Sequence, residues 1–243
     1  RGGHGVQATY INPKGEYPYN HPKFQGDENK PKDPYAAGNE YTGDTNADGK
    51  LTFFEAHPEW YGLYKGKRSD RINGFPAENY CTSNKDATKE LAKNLVQSLI
   101  DGAWKNVDIA NFWMLDVGTW CECENCKKQG IFTDRLMDIL YIVQKEIQAA
   151  QKAGTLNRKV LLSTLAYWET IPPPERPLPA DFDYDNFSVI FFPIERCYVH
   201  SLADPACTEI NKFLLEGFFK YLKTPQKSQG RKPKWVEKVS HGR

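Results

Sequence analysis

The sequence predicts an α/β fold, because strand-like apolar runs alternate with helix-like periodicity in the second half of the 243-residue chain. The runs cover residues 107–115, 159–166 and 188–194. Strands that alternate with helices join into parallel β/α units, in which each helix crosses over the sheet between two strands. We therefore expect a parallel sheet with helices packed against it.

Two helices between these runs carry start signals and one apolar face each. Ser83 or Asn84 is expected to cap the first helix, and Thr133 the second. The apolar positions that define the two faces are Ala87, Leu91, Leu95 and Leu99, and Leu136, Leu140, Val143, Ile147 and Ala150. A third helix is predicted from about residue 208 to residue 222.

The first 80 residues differ from the rest of the chain. They contain seven prolines and no sustained helical or alternating period, which is typical of irregular structure. We divide the chain into a loop-rich N-terminal region at residues 1–80 and a β/α portion at 81–243, within one domain overall. The chain starts without Met, and we expect it to be a piece of a longer protein.

Composition narrows the classes of partner. With 32 basic and 31 acidic residues, the chain lacks the positive charge that binds nucleic acid or anionic lipid. No apolar run approaches the roughly 20 residues that cross a bilayer. Aromatic residues make up 13% of the chain, and many lie in irregular sequence, which is typical of sugar-binding surfaces. Six cysteines, an even number, are compatible with an exported protein, whether periplasmic, cell-surface or secreted.

Each strand run is followed by a carboxylate. Asp116 follows the first run, Glu169 the second within Tyr167-Trp168-Glu169, and Glu195 the third, before Arg196. Functional residues of parallel α/β folds lie just past the carboxyl ends of the strands. Any one of these acids is easily explained as a cap or an ion-pair partner. For the three together, we favour a site.

A calcium-binding loop is predicted within the N-terminal region. The segment 44–55 fits the pattern D-x-[DN]-x-[DN]-G-x5-E, in which oxygen ligands wrap a hard cation around a glycine turn. The ligand positions are Asp44, Asn46, Asp48, Lys50 (through its carbonyl), Thr52 and Glu55. Nearby prolines exclude flanking helices, so we expect a lone structural Ca²⁺. The alternative is an Asp- and Asn-rich surface turn.

Three cysteines lie close together at Cys121, Cys123 and Cys126, directly after the first strand run. Their thiolates are suited to a structural Zn²⁺ site, for which Cys81, Cys197, Cys207 or a histidine would supply the fourth ligand. Disulfides in an oxidising compartment are the alternative, and the sequence does not decide between the two. A catalytic zinc is not indicated, since no H-E-x-x-H motif is present.

A series of short motifs resembles one protein family. In chain order they are His57-Pro-Glu-Trp60, Cys81-Thr-Ser-Asn84, Asp116 with Trp120-Cys-Glu-Cys-Glu-Asn-Cys126, Ser163-Thr-Leu-Ala-Tyr167, and Glu195-Arg-Cys-Tyr-Val-His200 with Cys207. Together, over roughly residues 50 to 220, they resemble a gut-bacterial glycan-utilisation family long catalogued as domain of unknown function 4838. Members of that family are now placed in glycoside hydrolase family 163.

The resemblance implies a (β/α)8 TIM-barrel-like fold and an endo-β-N-acetylglucosaminidase that cuts N-glycan cores. In such enzymes the 2-acetamido group of the substrate is the nucleophile. We assign Asp116 to orient that group and Glu195 to be the general acid and base, with Glu122 and Glu169 in reserve. The residues expected to contact sugar are His57, Trp120, Tyr167, Trp168, Arg196 and His200. We also expect Arg1 and His4 to belong to the end of an earlier strand.

The chain departs from the family pattern, and other functions compete. Three strand signals are too few for eight β/α units, so we expect the barrel to be incomplete in this chain. The calcium-like loop is read as an insertion. The first alternative is a non-catalytic carbohydrate-binding module, in which the same aromatic residues hold a glycan. The second is a glycosidase of another specificity on the same barrel, such as a hexosaminidase or a glucuronidase.

Overall fold

A computed structural model describes residues 2–15, 52–72, 77–116, 118–209, 211–212 and 214–216 of the chain. The described residues form six strands and five α-helices with defined bounds, and short 3₁₀ turns connect some of them. In chain order they are β1 (Gly2–Gly3), α1 (Val6–Tyr10), α2 (Phe53–Ala56), β2 (Leu63–Tyr64), β3 (Lys67–Arg68), α3 (Lys85–Ile100), β4 (Ile109–Phe112), α4 (Glu124–Lys128), α5 (Phe132–Lys152), β5 (Leu161–Ala166) and β6 (Phe187–Phe191).

Four strands form a parallel sheet in the order β1-β4-β5-β6. The strands β4 and β5 fall inside two of the apolar runs predicted from the sequence, and β6 overlaps the third but begins one residue earlier, at Phe187. Because all four strands point the same way, their carboxyl ends lie together at one end of the sheet. The strands β2 and β3 form a separate antiparallel hairpin, which turns at Lys65 and Gly66, both with positive φ.

The predicted (β/α)8 barrel was wrong. Within the described residues the sheet has four strands and is open, with β1 at one edge and β6 at the other. A barrel closes only when both edge strands find partners and every strand takes the tilt that closure requires. Ile190, in the middle of β6, is 42% exposed, so the described chain leaves this edge strand uncovered. The expectation of eight strands came from a family resemblance, and the sequence itself contained only three strand signals.

The helices α3 and α5 pack against each other and share a core with β4 and β5. Asn84 caps α3 as predicted, since its side-chain oxygen accepts hydrogen bonds from the amides of Asp86 and Ala87. The expected apolar faces are buried, with the exception of Ala150, which is partly buried. No helix in the described ranges is both long and apolar enough to span a membrane.

The start of α5 differs from the prediction that Thr133 caps it. The helix already begins at Phe132, and the Asp134 carboxylate accepts a hydrogen bond from the Ile131 amide. The Thr133 hydroxyl donates to the carbonyl of Pro172 instead, at 2.6 Å. This threonine therefore ties the helix to the proline-rich segment after β5, a long-range contact that a local sequence pattern does not reveal.

The N-terminal region belongs to the same core as the β/α portion. α1 packs against α3, and Trp60 and Tyr61 are fully buried. The Tyr61 hydroxyl donates to the carbonyl of Ile11, which connects two parts of this region. A side chain at Gly62 would collide with the carbonyl oxygen of Asn79, since a Cβ there would lie 2.4 Å away. The close approach of these two segments therefore requires glycine.

Arg158 joins the segment before β5 to the end of α3. Its guanidinium donates to the carbonyls of Leu99 at 2.9 Å, Trp104 at 3.0 Å and Val107 at 3.1 Å. Arg158→Met keeps the apolar stem but leaves these carbonyls without their donor. We expect the free energy of unfolding to fall by about 2 to 4 kcal/mol, measured by urea titration. Lys159→Met, at an exposed neighbour, is the matched control, and an equal loss in both variants would contradict the account.

Candidate functional site

A small cleft lies at the carboxyl end of the sheet, where β1, β4 and β5 finish. Its volume is about 30 Å³, room for little more than a water molecule. Aromatic and apolar side chains form most of its wall. The lining residues are His4, Trp113, Met114, Leu115, Trp120, Leu136, Thr164, Leu165, Tyr167, Trp168, Glu169 and Thr170.

Asp116 lies beside this cleft, four residues beyond the end of β4. Its carboxylate is exposed and accepts a hydrogen bond from the hydroxyl of Tyr167, at 3.0 Å. Burial and the hydrogen bond to Asp116 raise the pKa of Tyr167, so its hydroxyl remains a donor at neutral pH. Two strand ends that are 51 residues apart in sequence thus form one polar pair. The carboxylate keeps one oxygen free of this bond.

Trp168 projects from the end of β5 with strained backbone geometry. Its φ is +47°, in the left-handed αL region, which is unusual for a bulky residue. Such a conformation costs on the order of 1 to 3 kcal/mol and is found most often at functional sites. The indole is 36% exposed and lines the cleft. The strain therefore holds a large aromatic surface beside Asp116 and Tyr167.

Trp113 also lines the cleft and, like the strained Trp168, carries an energetically unfavourable feature. Its indole N–H is buried and has no hydrogen-bond partner within the described part of the chain. A buried donor without a partner costs about 1 to 3 kcal/mol. The ring packs edge to face against His4, which follows β1, with ring centroids 5.1 Å apart. Sequence reasoning named His4 but missed Trp113, although it is the residue directly after β4.

Glu195 and Arg196 follow β6, the next strand along the sheet. Glu195 is exposed, and the preceding Phe192 packs edge to face against Tyr167 at a centroid distance of 6.1 Å. Phe192, directly after β6 and three residues before Glu195, therefore lies next to Tyr167. The guanidinium of Arg196 lies 4.9 Å from the ring centre of Tyr198, which is largely exposed.

The other predicted sugar contacts are distributed differently. Trp120 lines the cleft and stacks on Phe132, with centroids 4.7 Å apart. His57 lies outside the cleft lining, is 2% exposed and stacks on Trp60 at 4.0 Å. Glu122, held in reserve as an acid, accepts a hydrogen bond from the amide of Lys65 in the β2–β3 hairpin. Of these three residues, only Trp120 lines the cleft.

The cysteine cluster gains its fourth member from Cys81. The sulfur atoms of Cys81, Cys121, Cys123 and Cys126 all lie within 4.8 Å of one another. The distances from the Cys81 sulfur to those of Cys123 and Cys126 are 3.7 and 3.8 Å. Ligand atoms about 2.3 Å from a tetrahedral zinc lie about 3.8 Å from each other, so the arrangement fits this ion. All six cysteines of the chain are free thiols in the structure.

The four cysteines of the cluster differ in the direction in which their pKa values are shifted. Hydrogen bonds from the thiols of Cys121 and Cys81 place the pKa of Cys126 far below its usual value. The same contact with Cys126 raises the pKa of Cys121. The pKa of Cys81 is also raised, whereas that of Cys123 is lowered. Sulfur anions this close repel one another, so the four thiols do not ionise alike.

A second group of possible metal ligands lies after β6. The Nδ1 atom of His200 is 3.4 Å from the sulfur of Cys197 and 3.2 Å from that of Cys207. The backbone amide of His200 and the thiol of Cys207 lower the pKa of Cys197 to about 7. His200, expected to contact sugar, lies between two thiols instead. Three ligands, one of them exposed, make a more open set than the four-cysteine cluster.

The predicted calcium loop is described only at its end. Asp44, Asn46, Asp48 and Lys50 lie outside the described residues. Thr52 and Glu55 form a capping box at the start of α2, in which the Glu55 carboxylate accepts from the Thr52 amide at 3.0 Å. Calcium binding by these two residues stays a prediction.

Comparison with known proteins places the chain in a family. Neither a curated protein nor a solved structure matches it. The model of a family described as "Domain of unknown function (DUF4838)" matches residues 20–216, which is more than half of the chain and includes most of the cleft, both groups of cysteines and the three strand-end acids. The chain therefore belongs to the DUF4838 family.

Proposed function

We propose that this protein is a glycoside hydrolase that cleaves β-linked N-acetylglucosamine in N-glycan cores by a substrate-assisted, retaining mechanism. The observation that carries the proposal is the Asp116 carboxylate, oriented by the Tyr167 hydroxyl and flanked by the exposed indole of Trp168. A fixed carboxylate beside an aromatic platform is what recognition and activation of a sugar ring require. The choice of substrate follows from the resemblance of the chain's motifs to those of glycoside hydrolase family 163.

The wall of the cleft suits a sugar substrate. Sugar rings present C–H groups on their faces and hydroxyls on their edges, so they stack on indoles and bond to carboxylates. Trp168 and Trp120 offer the apolar surfaces, and Asp116 and Glu169 offer the acceptors. The cleft, at about 30 Å³, is too small to enclose a sugar ring, which favours an extended glycan bound along the surface over a terminal sugar held inside a pocket. This favours endo-cleavage over the exo-hexosaminidase alternative.

The two carboxylates take different roles in the proposed reaction. Asp116 holds the N–H of the 2-acetamido group, so that the amide oxygen attacks C1 and forms an oxazolinium ion. Glu195 gives its proton to the departing glycosidic oxygen as the C1–O bond breaks. Glu195 then takes a proton from the water that opens the oxazolinium ring, and the anomeric configuration is retained. Tyr167 is a positioning residue for Asp116.

The proposal does not need a closed barrel. Ligands of open parallel α/β sheets also bind beyond the carboxyl ends of the strands, where loops supply the functional side chains. Asp116, Trp168 and Glu195 all lie beyond the carboxyl ends of strands of this sheet. A protein that acts on glycans outside the cell would be exported, and we include this localisation in the proposal.

The experiment that tests the proposal is incubation of the full chain with a glycoprotein that carries complex-type N-glycans. We expect mass spectrometry to detect released glycans and a single N-acetylglucosamine left on the peptide. Release of free monosaccharides would instead indicate an exo-acting enzyme. If a folded protein releases neither, although it binds the glycoprotein, the hydrolase proposal is wrong and the binding-module alternative replaces it.

A further inference from the structure

We propose that Cys81, Cys121, Cys123 and Cys126 bind one structural Zn²⁺, which fastens the segment 121–126, at the start of α4, to the segment before α3 that carries Cys81. Four sulfur atoms lie within 4.8 Å of one another, and two of their separations, 3.7 and 3.8 Å, match the edge of a zinc–thiolate tetrahedron. Four protein ligands leave no open position, so the ion is structural and not catalytic.

Backbone amides around the cluster donate hydrogen bonds to its sulfur atoms. The amide of Leu63 lies 3.3 Å from the Cys121 sulfur, and that of Ser83 lies 3.4 Å from the Cys126 sulfur. Within the C-x-x-C turn, the Cys126 amide donates to the Cys123 sulfur at 3.4 Å. Such bonds favour thiolates, which are the form that binds zinc, and they fix the orientation of the ligands.

A positive charge lies next to the cluster. The guanidinium of Arg68, in β3, lies close to Cys81, Cys121 and Cys123. Four thiolates around one Zn²⁺ carry a net charge of about −2. The guanidinium of Arg68 offsets part of that charge. Without a cation, several of these buried sulfurs would have to stay protonated.

The alternative of disulfides fits the arrangement less well. Bonded sulfur atoms are about 2.05 Å apart and occur in pairs, whereas here Cys81 is almost equally distant from Cys123 and Cys126. Three of the four side chains are buried, and they form a small cluster separate from the main core. A shared ion accounts for four convergent thiols, while two disulfides would leave their convergence on one point unexplained.

The proposed ion connects the cluster to the candidate site. Cys121 directly follows Trp120, which lines the cleft, and lies five residues after Asp116. Arg135 of α5 also donates to the carbonyl of Cys121, at 3.2 Å. Zinc binding would therefore fix the end of the segment that carries the cleft residues. This inference does not depend on the proposed hydrolase activity.

The test is metal analysis of the full chain, purified under reducing conditions without chelators. We expect one tightly held zinc per chain by mass spectrometry, and the visible absorption of a tetrahedral cobalt thiolate after exchange with Co²⁺. A strong chelator should lower the melting temperature by on the order of 10 °C, and added Zn²⁺ should restore it. Alkylation should label Cys81, Cys121, Cys123 and Cys126 only after the chelator is added.

Two variants assign the metal to the proposed ligands. Cys126→Ser should lose the tightly held zinc, while the matched control Cys197→Ser/Cys207→Ser, which changes the other group of thiols, should keep it. Should Cys126→Ser fail to fold, the alkylation pattern of the native protein still decides. The proposal is overturned if the reduced protein binds no zinc, if the metal is lost with Cys197 and Cys207, or if disulfides are found among the four cysteines.

Discussion

Asp116→Asn is expected to abolish most turnover while glycan binding is retained. Asparagine keeps the size of the side chain and can still accept a hydrogen bond from Tyr167, but it lacks the negative charge that stabilises the acetamido group during attack. Positioned acid and base groups contribute about 10²- to 10⁴-fold in rate, and we expect a loss of kcat in this range. Glycan release is the kinetic readout, and calorimetric titration with the intact glycan measures affinity.

Asp108→Asn is the matched control for this substitution. Asp108 is an exposed aspartate directly before β4, at the opposite end of the same strand, so the change in charge and volume is identical. We expect the control to keep wild-type turnover. Equal turnover in Asp116→Asn and Asp108→Asn would remove Asp116 from the mechanism. A parallel loss of binding and turnover at Asp116 would indicate that the cleft holds a glycan without activating it.

Local patterns predicted β4, β5, β6 and the two long helices α3 and α5, but not α1, α2, α4 or the β2–β3 hairpin. Leu91, Leu95 and Leu99 repeat every four residues and are fully buried, because one face of a helix must meet the core. Two of the apolar runs contain β4 and β5, and the third overlaps β6, which begins one residue earlier, at Phe187. The carboxylates that follow these strands lie beyond the carboxyl end of the sheet. The position of Asp116 beside Tyr167 follows from this parallel arrangement.

Long-range geometry was less accessible from the sequence. The number of strands in a sheet depends on pairings between distant segments, and the expectation of eight rested on resemblance alone. Cys81 was one of several candidates for the fourth thiol, since spacing identifies ligands only when they are neighbours in the chain. The left-handed backbone of Trp168 has no sequence signal, because that conformation is rare for an aromatic residue.

The burial of His57 shows a related limit. A histidine in an irregular, aromatic-rich segment has the composition of a ligand-binding residue, yet its ring is enclosed against Trp60. Its Nδ1 atom lies 3.1 Å from the carboxylate of Glu59, two residues away. Composition reports which groups are available for binding, whereas exposure is decided by how distant segments pack.

Asp134→Ala is expected to cause the largest loss of stability among the predicted substitutions. The Asp134 carboxylate is 2% exposed and accepts hydrogen bonds from three backbone amides, those of Ile131 at 3.3 Å and of Glu175 and Arg176 at 3.0 Å each. Alanine leaves these donors without an acceptor and removes a negative charge from the start of α5. We expect a loss of about 3 to 5 kcal/mol and a fall in melting temperature on the order of 10 °C.

Asp138→Ala on the same helix separates this effect from the loss of a charge. Asp138 is partly exposed, and its carboxylate pairs with Arg176 at 2.8 Å, a kind of contact worth about 0 to 1 kcal/mol. Urea titration should therefore show a small change for Asp138→Ala and a large one for Asp134→Ala. Equal losses would mean that net charge matters more than the buried amides. The Asp134 carboxylate binds the amides of residues 175 and 176, and the neighbouring Thr133 binds the carbonyl of Pro172. Loss of the Asp134 carboxylate should therefore also loosen the segment after β5 that carries Trp168.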